Sequence, residues 1–105
     1  MDEPTQGYKL LLSYEISTNA MQDYYQFLMG QYVPTMQGMG FQMSEAWHTA
    51  YGAMPNRLLG FVCRDRQAVD ALLSSESWHD LNEQLGEFVA DFNYKVIPYR
   101  GGFQF

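Results

Sequence analysis

The stretch FQMSEAWHTAYGAMPNRLLGFVC, Phe41 to Cys63, restricts this chain more than any other. From Phe41 to Tyr51 the odd positions hold Phe, Met, Glu, Trp, Thr and Tyr, and the even ones Gln, Ser, Ala, His and Ala. Alternation between a bulky face and a small, polar face is the mark of a half-covered strand. Gly52, Pro55 and Asn56 supply a turn, and Arg57 to Cys63 reads as a second, buried strand. The expected element is a β-hairpin, and Trp47, His48 and Arg57 are its residues placed to face a ligand.

The flanking sequence completes a pattern. A strand is expected from Tyr8 to Ile16, with Tyr8, Leu10, Leu12, Tyr14 and Ile16 on one side. Ser17, Thr18 and Asn19 are candidate N-caps, and Gln22 stands three residues beyond Asn19 as in a capping box. A helix then runs from about Ala20 to about Gln37 on a stripe of Met21, Tyr24, Tyr25, Leu28, Tyr32 and Met36. Pro34 should kink it or turn its last part into a separate turn, and Gly38 and Gly40 should end it with a left-handed cap. Asp65 is the expected N-cap of a short helix over residues 66–73, which Ser74 and Ser75 interrupt. The next helix carries Trp78, Leu81, Leu85 and Phe88 or Val89 inward, and a last strand runs from about Phe92 to Tyr99 with Pro98 at an edge.

Strand, helix, strand, strand, helix, strand is the split βαβ pattern. It predicts an α+β, ferredoxin-like βαββαβ fold: a four-stranded antiparallel sheet with helices on one face. One domain spans residues 1–105, with its core in 8–99 and an aromatic tail over 100–105 expected to touch a partner subunit. Leu11, Ala46, Ala50 and Ile97 are assigned to one sheet face, and Leu12, Tyr14, Trp47 and Phe61 to the other. Neither set looks fully solvated.

Composition sharpens this. In 105 residues, 47% hydrophobic and 16% aromatic side chains against 17% charged ones leave more apolar surface than one small subunit can hide. A homodimer covers it, and the sheet of a second copy is the expected cover. The net charge of −6 argues against nucleic acid or an anionic membrane as partner. A single cysteine, Cys63, excludes an internal disulfide and a multi-cysteine zinc site and suits a reducing compartment. The acidic start MDEPTQGYK lacks the apolar core of a signal peptide, and no apolar run is long enough for a membrane helix. The expected location is cytoplasmic.

The proline late in the first helix followed by Gly38 and Gly40, the phrase EAWHTAYG before the strand LLGFV, and the phrase SSESWHDLNEQLGEFVADFNYKVI together resemble the dimeric α/β-barrel superfamily. This superfamily takes in NIPSNAP-like proteins, stress-responsive barrel domains and proteins like the antibiotic-biosynthesis monooxygenases. The resemblance covers about Tyr8 to Tyr99 and implies two facing sheets, with a pocket within the barrel or between each sheet and its helices. It does not name an activity, because members include cofactor-free oxygenases, haem-degrading enzymes, isomerases and proteins of no known activity. The haem-degrading branch uses an asparagine on the first strand, a tryptophan and a helical histidine. This chain offers Trp47 and His79 but no asparagine between Tyr8 and Ile16. No cofactor is therefore expected, with haem as the alternative.

His48 is the candidate catalytic base, since a strand histidine between Trp47 and Thr49 can exchange a proton near neutral pH; the plainer account is an interface histidine held by hydrogen bonds. Glu45 shares the assigned face of Trp47, and a turn that sets Tyr51 near Arg57 puts Arg57 there too. Tyr14, Glu45, Trp47, Tyr51 and Arg57 are thus the candidate ligand-binding set, suited to a small, apolar or aromatic and in part anionic molecule. Against it stand Trp47 as core and Glu45–Arg57 as a structural salt bridge. His79 is expected on the surface, and neither histidine belongs to a metal-binding spacing. The function expected is small-ligand binding, with cofactor-independent oxygenation or isomerisation as its chemistry; the alternative is a non-catalytic dimeric module with a filled barrel.

Overall fold

A computed structural model describes residues 6–48 and 57–100. Strand β1 (Gln6–Ile16) leads into a 3₁₀ turn (Thr18–Ala20), helix α1 (Met21–Phe27), a π-helical turn (Leu28–Tyr32) and helix α2 (Val33–Gly38). Strands β2 (Gln42–His48) and β3 (Arg57–Cys63) follow, then helices α3 (Arg66–Leu73) and α4 (Glu76–Leu85) and strand β4 (Val89–Arg100). The strands form one antiparallel sheet in the order β2-β3-β1-β4, which is the ferredoxin-like topology. Among the described residues no helix is long and apolar enough to cross a membrane.

Pro34 does not end the first helical segment. A proline in a helix lacks an N–H and its ring presses on the carbonyl four residues back, here Gly30. The chain widens just before it: the Val33 N–H reaches Leu28 O, five residues back, so the π turn relieves the clash and helix resumes with Pro34 in its first turn. Gly40, at φ +89°, closes the segment in the left-handed region, and the Phe41 N–H returns to Met36 O at 2.9 Å. The expected capping box does not form. Ser17 and Ala20 occupy the N-cap positions without a side-chain bond, and the Ser17 N–H goes instead to Phe88 O. Downstream the caps are as expected: Asp65 accepts from the Ala68 N–H at 2.9 Å and Ser75 from the Trp78 N–H at 3.1 Å.

The helices cover one face. Leu10, Leu12, Tyr14 and Ile16 of β1 and Leu59, Phe61 and Cys63 of β3 pack under Tyr24, Phe27, Leu28, Tyr32 and Met36, with Val69, Leu72, Trp78, Leu81 and Leu85 closing the other end. Strand β4 begins earlier than expected, at Val89, because residues 86–88 form a turn rather than a last turn of α4. A bulge then places Asp91 at φ 56° while the register moves from Ser13↔Asn93 to Glu15↔Ala90. Aspartate tolerates that left-handed conformation better than most residues. Pro98 lies on β4, which is an edge strand, so its missing N–H costs no central ladder bond.

Gly7 lies where β1 passes close to the backbone at the end of β3. A Cβ on it would collide with the backbone carbonyl oxygen of Cys63, which cannot swing aside as a side chain could. Gly7→Ala is expected to lower the stability by about 1–3 kcal/mol, as overpacking does. A urea unfolding midpoint unchanged from wild type would show that β1 and β3 part there at no cost.

Candidate functional site

The site is built on one row of residues across three strands. Tyr14 of β1 is the Cα partner of Arg57 of β3, and Arg57 is in turn the partner of His48 of β2. Directly opposed residues share a face, so Tyr14, Arg57 and His48 all stand on the helix side. Helix α1 then lays Tyr24 and Tyr25 over the end of this row. Arg57, only 8% exposed, donates from Nε to the Tyr24 hydroxyl at 3.1 Å and from Nη2 to the Tyr25 hydroxyl at 2.6 Å. The Tyr14 and Tyr24 hydroxyls share a further bond at 2.6 Å. Tyr14 also stacks on Phe92, which the β4 bulge turns toward it, at 6.2 Å between centroids.

The electrostatics follow from burial. Desolvation first, then the neighbouring Tyr24, pushes the Tyr14 hydroxyl far above the usual tyrosine range, so Tyr14 stays neutral. Burial by itself would lower the Arg57 pKa, but the bond to Tyr24 and the field of the surrounding tyrosines turn the balance upward. The guanidinium is therefore a fixed charge. The rings of Tyr24 and Tyr25, 5.8 and 5.1 Å from its central carbon, flank it as cation–π partners.

The structure divides the expected ligand set. Strand β2 carries a bulge at Ser44, where the register moves from Met43↔Phe61 to Glu45↔Gly60. One extra residue reverses the facing of everything beyond it. Trp47 is thereby the partner of Leu58 and stands on the sheet face away from the helices, 61% exposed, rather than beside Tyr14 and Phe61. Ala46 makes the opposite move and joins Leu59 on the helix side. Glu45 also lies on the open face and pairs with Lys9, Nζ to Oε1 at 2.9 Å, not with Arg57. Its side chain crosses β3 over Gly60, where a Cβ would come within 2.8 Å of its Cγ. Tyr14 and Arg57 remain together, with His48 in their row. Tyr51 and Ala50 lie outside the described residues.

Sequence reading missed Tyr24 and Tyr25 as partners of Arg57, because both fit the apolar stripe of a helix. The available signal was the pairing itself: setting β1 against β3 places Tyr14 opposite Arg57, and the adjacent helix then has to supply what covers them. His79 is on the exposed side of α4. Among the described residues no cluster of three histidine, cysteine or acidic side chains is placed to hold a metal ion.

No protein-family model matches the chain, and no curated protein matches it. Solved structures do. A NIPSNAP family protein from Agrobacterium tumefaciens superposes with a TM-score of 0.67 at 10% identity, over 99% of this chain and 93% of its own. A candidate antibiotic biosynthesis monooxygenase from Nitrosomonas europaea gives 0.64 at 12% identity, over 98% and 96%. A conserved protein of unknown function from Bacteroides thetaiotaomicron, suggested as an oxidoreductase, gives 0.67 at 4% identity, over 92% and 100%. At such identities the likeness is one of architecture, and the chain has the ferredoxin-like α+β fold of the NIPSNAP and antibiotic-biosynthesis-monooxygenase proteins.

Proposed function

We propose that this protein is a homodimeric α/β barrel that binds a small aromatic ligand at the Arg57–tyrosine cluster. One observation carries the ligand: a buried arginine bonded to two tyrosine hydroxyls and backed by a third, in register with an exposed histidine. A protein that needed only a packed core would not gain from a desolvated cation there. The dimer is supported by the open sheet face. Leu11, Leu58, Val62 and Ile97 are only half covered in the single chain, and the Trp47 ring lies beside them. Such an apolar field is what a second copy of the same sheet would cover.

The chemistry this arrangement supports is proton abstraction. His48 is the candidate base, and a substrate anion formed next to Arg57 would be stabilised by its fixed charge. Isomerisation and cofactor-independent oxygenation both begin with such a step, in keeping with the monooxygenase and oxidoreductase suggestions attached to two of the similar structures. No cofactor is called on. Haem, the alternative, would require His48 as its ligand and so a Soret change that His48→Ala abolishes.

A non-catalytic module has one observation in its favour, the filled helix–sheet layer: Tyr14, Tyr24, Tyr32, Phe41 and Phe61 are fully buried. We therefore propose that the ligand rests at the rim of the layer, beside Tyr25, which is 40% exposed, and not within it. A saturation-transfer NMR screen of small aromatic and aliphatic molecules separates the two. Aromatic members are expected to bind and to shift Tyr25 and His48 signals. Binding by none of them would leave only the module.

A further inference from the structure

The Arg57 cation has no counter-charge among the described residues. The ion pairs there join Lys9 to Glu45 and Arg66 to Asp70, and the partners of Arg57 are neutral phenols. A guanidinium has five N–H donors. The bonds from Nε and Nη2 leave Nη1 unspent, yet no buried side-chain nitrogen among the described residues lacks a partner. Nη1 is therefore the edge of the group that reaches solvent. Tyr25, whose hydroxyl meets Nη2, is partly exposed. Its oxygen accepts from Nη2, which strengthens its own O–H as a donor, and among the described residues that O–H has no side-chain acceptor.

A charged planar edge and a polarised hydroxyl, side by side, fit a group with two acceptor oxygens and one negative charge. The chain's charge of −6 disfavours anions at long range, so an anion that binds must be met by a local cation. We infer that Arg57 and Tyr25 form the recognition site for the carboxylate of a small aromatic acid, with Arg57 supplying the charge and Tyr25 a second hydrogen bond. The exposed part of the Tyr25 ring gives the aromatic portion a surface to rest on. This rests on the proposal that a small aromatic ligand binds at the cluster, and it names the class of that ligand.

The test is an NMR titration of the full-length protein, following the Arg57 Nε–Hε signal, with benzoate and with its neutral analogue benzamide as probes. Benzoate is expected to give a saturable shift, and benzamide to bind about tenfold more weakly or worse, the difference a charge-assisted hydrogen bond makes. Tyr25→Phe keeps the ring at a partly exposed position, so the fold stands; it should weaken benzoate about five- to tenfold. Equal affinity for the two probes would overturn the carboxylate assignment while leaving aromatic binding in place. A Tyr25→Phe variant that binds benzoate as tightly as wild type would remove Tyr25 from the site. No shift of Arg57 with either probe up to about 10 mM, a range that reaches very weak binding, would end both proposals.

Discussion

Above about pH 10 the folding stability should fall by about 2.7 kcal/mol per pH unit, through two tyrosines alone. Tyr14 and Tyr32 are fully buried, and burial first, then the neighbouring Tyr24, raises both hydroxyls far above the ordinary value of 10.0. In the unfolded chain each releases its proton near pH 10, whereas in the native state each keeps it. The unfolded state then binds fewer protons, so stability must drop as pH rises. The contribution is whole below the unfolded value and is lost progressively toward the raised folded value. Each group accounts for about 1.4 kcal/mol per unit. Cys63, also raised by burial, starts the decline at somewhat lower pH. Urea unfolding at stepped pH measures the slope. Tyr14→Phe and Tyr32→Phe should each remove about half of it, while at neutral pH each costs about 1 kcal/mol for the lost bond to Tyr24 or to Asn82. A slope unaltered by either substitution would mean that these hydroxyls are not shut away from water.

The second large effect concerns the open face. Leu58 sits in the middle of it, on the interior strand β3, between Ser13 of β1 and Trp47 of β2. In the proposed dimer it is covered by the partner sheet, so Leu58→Lys would bury an unpaired charge in each subunit. Such a charge costs about 3–5 kcal/mol, and two of them weaken the dimer by about four to seven orders of magnitude. Light scattering at micromolar concentration should move from the mass of two chains to one of 12.2 kDa, with far-ultraviolet circular dichroism unchanged. The helix-side core does not include Leu58, so the fold itself should survive. A wild-type protein already at 12.2 kDa would show that the face is not an interface between copies.

How far the sequence spoke for itself differs between elements. The strand Arg57–Cys63 and the helix Arg66–Leu73 were legible to the residue, because Asp65 caps and the apolar spacing leave little freedom. The bulge at Ser44 was not. Nothing in QMSEAWH breaks the alternation: no glycine, no proline, only a serine whose hydroxyl bonds to Gly60 O once the sheet exists. A bulge is a property of two strands in register and of the twist between them, and one sequence shows each strand separately. That single residue moved Glu45 and Trp47 to the face opposite Arg57. The Arg57–tyrosine cluster was half visible, since Tyr14 and Arg57 were singled out together. What α1 contributes depends on the helix phase: Tyr24 turns fully inward, while its neighbour Tyr25 stays at the rim.

Native mass spectrometry of the protein as purified tests the central claim most directly. The expected species is two chains of 12.2 kDa carrying a small adduct, which collision releases as an aromatic molecule and which is less abundant in the Tyr25→Phe protein. A single chain, free of any adduct even after incubation with small aromatic ligands, would contradict both the dimer and the site.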